Sequence, residues 1–184
     1  MDRSQLAKQI AETAVLHGSF TLRSGRTSSY YIDKYLFLTD PRILAELGAM
    51  IAARLPEGTQ RLAGAELGGI PLVSAASMAA GLPAVYVRNA RKEYGTGKQL
   101  EGRIEPDEKI VIVEDIATTG GQVIEAAEVI RAQGGDVIAI IATVDRQEGA
   151  RENIEGAGYR FDSLFTTSDL GVDQETDPRK ENEL

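Results

Sequence analysis

Two adjacent acids, Glu114 and Asp115, close the apolar run Ile110-Val111-Ile112-Val113. Directly after them come Ile116, Ala117, Thr118, Thr119, Gly120, Gly121 and Gln122. Ionised carboxylates accept hydrogen bonds and suit the hydroxyl groups of a sugar. A Thr-Thr-Gly-Gly turn that opens a helix does the opposite. Its backbone N–H groups are donors, and the helix dipole favours an anion there. One short stretch therefore offers acceptors for sugar hydroxyls and donors for a phosphate, which is the chemistry of a phosphorylated sugar. Neither a Gly-x-x-x-x-Gly-Lys loop nor a Gly-x-Gly-x-x-Gly turn is present to suggest another nucleotide motif.

The acids need a strand to carry them and a helix to follow. Four β-branched residues read as a buried strand, and Val123 to Ile130 has helical spacing. Carboxylates at the end of a central strand sit where open α/β sheets bind ligands. A βα rhythm surrounds them. Strands are expected over 61–65, 83–87, 109–113, 136–144 and 159–165, with helices over 70–80, 121–133 and, briefly, 149–155. Alternation of this kind implies a parallel sheet with right-handed crossovers. Upstream, the spacing predicts a helix over 4–16 capped by Ser4 and ended by His17-Gly18. A hairpin over 19–33 turns at Ser24-Gly25, and Asp40-Pro41 starts a helix running to about Leu55. Residues 88–103 form a long polar loop, a length that usually marks a lid or disorder. The acidic tail, 171–184, is expected to be disordered.

The run 110–122 resembles the signature of the type I phosphoribosyltransferases, which bind 5-phosphoribosyl-1-diphosphate (PRPP). The stretch Phe20-Thr21-Leu22-Arg23-Ser24-Gly25-Arg26-Thr27-Ser28-Ser29-Tyr30-Tyr31-Ile32-Asp33 is similar to the N-terminal hairpin of the orotate phosphoribosyltransferase branch. This resemblance implies an α/β fold with a central, mostly parallel sheet flanked by helices and a small N-terminal hood hairpin. Residues 1–170 then form one domain, with the hood in about 1–40. It also implies a pentosyltransferase that moves the phosphoribosyl group from PRPP to orotate, giving orotidine 5′-monophosphate and diphosphate in pyrimidine biosynthesis.

The roles follow from the same resemblance. Glu114 and Asp115 hold the ribose hydroxyls, and Ile116 to Gln122 wrap the 5′-phosphate. Leu67, Gly68 and Gly69 form the diphosphate loop, with a cis peptide between Glu66 and Leu67. Arg88, Lys92 and Tyr94 contact PRPP from the mobile loop, and Lys92 and Asp115 are the catalytic pair. Thr118, Arg146, Arg23 and Tyr31 bind orotate. Guanidinium suits a carboxylate because it is planar and always charged. Magnesium arrives with PRPP, without direct protein ligands. The chain is a homodimer whose loop closes over the neighbouring subunit's site. Three positions depart from the common pattern: Asn89 and Gly68 where a lysine is frequent, and Tyr94 where a histidine is.

Composition narrows the field. The 184 residues suit one domain with a sizeable core. There are 28 acids against 20 bases, so nonspecific nucleic-acid binding is disfavoured. No cysteine is present, which removes disulfides and thiol chemistry. His17, the single histidine, sits at an expected helix end, so a Ser-His-Asp hydrolase is unattractive. There is no signal peptide pattern and no long apolar run, so a cytoplasmic location without membrane contact is expected. Two other readings stay open at this point: a purine phosphoribosyltransferase, and a PRPP-sensing regulator without turnover.

Overall fold

The computed structural model describes residues 1–21, 25, 27–89 and 99–172. Arg23, Lys92 and Tyr94 lie outside these residues, as does most of the acidic tail.

The chain begins with α1 (Arg3–Ala14) and a two-stranded antiparallel hairpin, β1 (Val15–Thr21) and β2 (Thr27–Ile32). Helices α2 (Lys34–Leu38) and α3 (Pro41–Ala52) follow. Next come β3 (Arg61–Ala65), α4 (Gly69–Ala80), β4 (Ala84–Val87), β5 (Leu100–Glu101) and β6 (Lys109–Ala117). The chain continues through α5 (Gly121–Ala132), β7 (Asp136–Asp145), α6 (Ala150–Gly156) and β8 (Phe161–Thr166). A 3-10 turn, Ser168–Leu170, is the last element among the described residues.

The main sheet has six strands in the order β5-β4-β3-β6-β7-β8, and only the β4–β5 pairing is antiparallel. From β3 the chain passes outward to β4 on one side. It then returns to place β6 on the other side of β3 and continues outward to β7 and β8. The strand order therefore reverses between β3 and β6, and a crevice at their carboxyl ends is the place such sheets bind ligands.

Both faces of the sheet are covered, which explains the unbroken apolar run in β6. Val111 and Val113 join a core with α1, α3 and α4, through Leu6, Ile10, Leu47 and Leu72. Ile110 and Ile112 point the other way, into a core with α5 and α6 through Val123, Ile130 and Ile154. Period-2 alternation distributes one run over two cores.

Some boundaries differ from the sequence expectation, each for a local reason. Asp2, rather than Ser4, caps α1. Its side chain accepts from Gln5 N at 2.8 Å while Gln5 Oε1 accepts from Asp2 N at 3.1 Å, a reciprocal capping box. His17 and Gly18 lie in β1, beyond the helix end. Asp40 caps α3 as expected, accepting from Arg42 N at 2.8 Å and Ile43 N at 3.2 Å. Strand β6 runs on to Ala117, because pairing with β7 continues to Ala117↔Asp145. Glu114 and Asp115 thus lie within the strand, four and three residues before the helix-opening turn begins at Thr118. Val172 is buried in the core, so order persists at least that far into the tail segment.

Candidate active site

The loops at the carboxyl ends of β3, β4, β6 and β7 converge at the crevice. After β3 the peptide between Glu66 and Leu67 is cis, at the bond implied by the resemblance. Asn89, just past β4, donates its backbone N–H to Glu66 Oε2 at 3.1 Å. Its side-chain Oδ1 accepts from Gln122 Nε2 at 3.2 Å. These bonds tie the β4 end to both the β3 loop and the start of α5.

A cavity of about 700 Å³ opens there, lined by Glu114, Ile116 to Val123, Glu125 and Asn89. All seven residues of the expected 5′-phosphate loop take part in its wall. Gly120 takes a left-handed conformation (φ 80°) at the helix cap, and a Cβ there would stand 2.7 Å from Ile154 Cγ1. Only glycine fits that turn. No side chain caps α5, and its first turn holds no acid. The first-turn N–H groups therefore face the cavity without a competing side-chain acceptor at the cap, the arrangement that receives a phosphate. Asn153 Nδ2 donates to Thr119 O at 2.9 Å and holds the loop from behind.

The acid pair has two different environments. Asp115 is 3% exposed; its Oδ1 accepts from Ile116 N, and its Oδ2 lies 2.7 Å from Lys34 Nζ. Glu114 lines the cavity, yet its Oε2 is shut from solvent without a hydrogen-bond partner. Burial first, and then the charge of Asp115, push Glu114 up to about 8, while Lys34 opposes the shift. A carboxyl oxygen left without a partner is what a ribose hydroxyl would satisfy.

The base-side residues are partly assembled. The register Ala117↔Asp145 puts Thr118 and Arg146 at neighbouring strand ends, and Arg146 N donates to Ala117 O at 2.9 Å. The Arg146 guanidinium lies 5.5 Å over the Tyr30 ring, with Nε 2.9 Å from Glu148 Oε1. Asp145 Oδ1 accepts from Gln147 N at 2.7 Å and shapes the turn that presents Arg146. Tyr31 is not brought to this group. It is 43% exposed on the opposite face of β2, with its ring 5.7 Å from Phe20. Strand alternation assigns the inner face to Ser28, Tyr30 and Ile32.

Arg88 ends near the site but turns toward Glu101, at 3.8 Å. Its Nε is buried without a hydrogen-bond partner. Leu67 is exposed, whereas Gly68 and Gly69 are buried against the sheet edge. The structure brings two further residues to the crevice: Asn89, which sequence pattern marks only as a departure, and Lys34, which it does not mark. A lysine directly after Tyr-Tyr-Ile-Asp, in a chain with six lysines, was the available signal.

An acid pair at the switch point of a parallel sheet, facing an uncapped helix N-terminus, defines a phosphoribosyltransferase site. A family model described as the phosphoribosyl transferase domain matches residues 38–169. The orotate phosphoribosyltransferase of Haloquadratum walsbyi is 49% identical, covering 88% of each chain. A crystal structure of Mycobacterium tuberculosis orotate phosphoribosyltransferase with Fe(III) dicitrate superposes with TM-score 0.82. It is 32% identical and covers 94% of this chain and 100% of that one. The same enzyme in complex with PRPP gives TM-score 0.77 over the same shares. The chain belongs to the orotate phosphoribosyltransferase family.

Proposed function

We propose that this chain transfers the 5-phosphoribosyl group of PRPP to orotate, forming orotidine 5′-monophosphate and diphosphate. The observation that carries this reading is the cavity that runs from Glu114, beside Asp115, to the open N-terminus of α5. Its acceptors and donors are spaced along one strand-turn-helix unit, as a ribose 5-phosphate requires.

In the reaction a ring nitrogen of orotate bonds to the anomeric carbon as the bond to the diphosphate oxygen breaks. Positive character develops on the ribose ring and negative charge gathers on the leaving diphosphate. Catalysis of such a step is mostly positioning and electrostatic stabilisation. Glu114 and Asp115 hold the ribose hydroxyls, and the Asp115 carboxylate supplies negative charge near the developing cation. Residues 116–122 fix the 5′-phosphate. Thr118 and Arg146 orient orotate, the guanidinium taking its carboxylate and the Tyr30 ring backing the guanidinium. Arg88, Lys92 and Tyr94 meet the diphosphate once the loop closes and excludes water.

Magnesium belongs to the same proposal. Among the described residues no group of three or more acids or histidines could cage it, which suits a cation that keeps several waters and is bound by diphosphate and ribose oxygens rather than by the protein. When bound with PRPP it would offset charge on the diphosphate. Also proposed are a homodimer with shared sites and a cytoplasmic place of action. Among the described residues, no helix is long and apolar enough to cross a membrane.

The test is direct. Purified protein with PRPP, magnesium and orotate should deplete orotate and produce orotidine 5′-monophosphate. Tight PRPP binding with no product would favour the regulator reading instead.

A further inference from the structure

The side chain in contact with the acid pair is a cation from the N-terminal hood. Lys34 Nζ sits 2.7 Å from Asp115 Oδ2, and its side chain is two-thirds buried. The residue opens α2, whose Phe37 and Leu38 are buried against α1 and α3. Asp33 caps that helix by accepting from Tyr35 N at 3.1 Å. The ammonium also lies 5.6 Å over the Tyr35 ring. Lys34 is thus held from both ends, by a packed helix behind it and a buried carboxylate ahead.

The same Asp115 oxygen faces the loop after β3. A Cβ built on Gly68 would overlap Asp115 Oδ2. Lys34, Asp115 and the backbone of Gly68 therefore meet at one point, on the β3 side of the crevice. That loop, Glu66-Leu67-Gly68-Gly69, brings one carboxylate and no cation. A substrate as anionic as PRPP must enter beside Glu114 and Asp115 while approaching this loop. Like charges brought together without a counter-charge cost binding energy, and a charge-assisted contact offsets that cost.

We propose that Lys34 is a PRPP-positioning residue. It neutralises the acid pair before substrate arrives, and shares its ammonium between Asp115 and the diphosphate end of PRPP afterwards. Asp115 Oδ1 is held by Ile116 N, so Oδ2 is the oxygen left to Lys34, on the side of Gly68. An ammonium has three donors and can serve both partners at once. This proposal rests on the PRPP-dependent reading given above.

The experiment compares Lys34→Met and Lys34→Arg with wild type. PRPP titration by calorimetry in magnesium is combined with steady-state KM values for PRPP and orotate, and with melting temperatures. The methionine keeps the apolar stem while removing the charge. Lys34→Met is expected to weaken PRPP binding and raise its KM tenfold or more, with the orotate KM changed less than threefold. Lys34→Arg should restore most of the PRPP affinity. Unchanged PRPP constants in Lys34→Met would overturn the proposal. So would a parallel rise of both KM values with a lowered melting temperature, which would mark a structural clamp. A wild-type protein that binds no PRPP would sink the underlying reading, and this proposal with it. Wild-type binding with an indifferent Lys34→Met sinks this proposal alone.

Discussion

Gly68 and Asp115 approach so closely that a Cβ on Gly68 would overlap the Asp115 carboxylate. The backbone at Gly68 is ordinary right-handed helical (φ −72°), so conformation does not demand glycine here. Space does. The β3 loop and the β6 acid pair are packed backbone against side chain, and a larger residue would have to displace Asp115 or the loop.

Gly68→Ala should accordingly weaken PRPP binding while leaving most of the fold intact. Overpacking of this kind costs about 1–3 kcal/mol. A PRPP titration paired with thermal melting checks this. A variant with wild-type PRPP affinity would show that the loop yields without disturbing Asp115.

Glu114 should make stability depend on pH in a stated window. Its folded-state value near 8 lies above the ordinary 4.5. The folded chain keeps a proton there that the unfolded chain has released. That contribution is fully present below about pH 4.5 and is lost as pH rises to about 8. Glu114→Gln resembles the protonated form. Its melting temperature should vary less than that of wild type between pH 5 and roughly 8, while its PRPP affinity falls. Parallel profiles for the two proteins would assign the titration to another group.

Much of this fold was legible in local pattern. The β-branched run of β6, the Asp40-Pro41 start of α3 and the βα rhythm all fix elements through contacts near in sequence. The misses depend on distant partners. Strand β5 is two residues long and exists through pairing with β4. Helix α2 is five residues, Lys-Tyr-Leu-Phe-Leu, too short for periodicity to declare itself. The extension of β6 through the acid pair comes from its ladder with β7. The site shows the same division. Residues 114–122 form one local unit and were readable as such. Lys34 meets Asp115 across 81 positions, and only the folded chain brings them together. Tyr31 lies on the exposed face of β2 and Tyr30 on the buried one, a placement set by which face of the hairpin meets the body.

Arg146→Ala should mainly weaken orotate binding, by about 1.5–3 kcal/mol for one lost charge-assisted contact. PRPP binding should stay close to normal, because Arg146 holds the phosphate loop through its backbone N–H to Ala117 O, which alanine keeps. Separate titrations of the two ligands give the answer. Equal losses for both would make the contact with Glu148 a structural ion pair.

Lys92→Ala should lower turnover far more than folding stability, since the role assigned to it is a charge that meets the leaving diphosphate. If the loop acts across a dimer, mixing Lys92→Ala with Asp115→Asn subunits should recover part of the activity. Demonstrated subunit exchange without recovery would contradict shared sites.

The most direct measurement sets orotate against adenine, guanine and hypoxanthine at one PRPP and magnesium concentration, with diphosphate release followed for each base. Orotate alone should drive release, with one orotidine 5′-monophosphate formed per diphosphate. Release driven by a purine, or release that does not depend on orotate, would contradict the assignment.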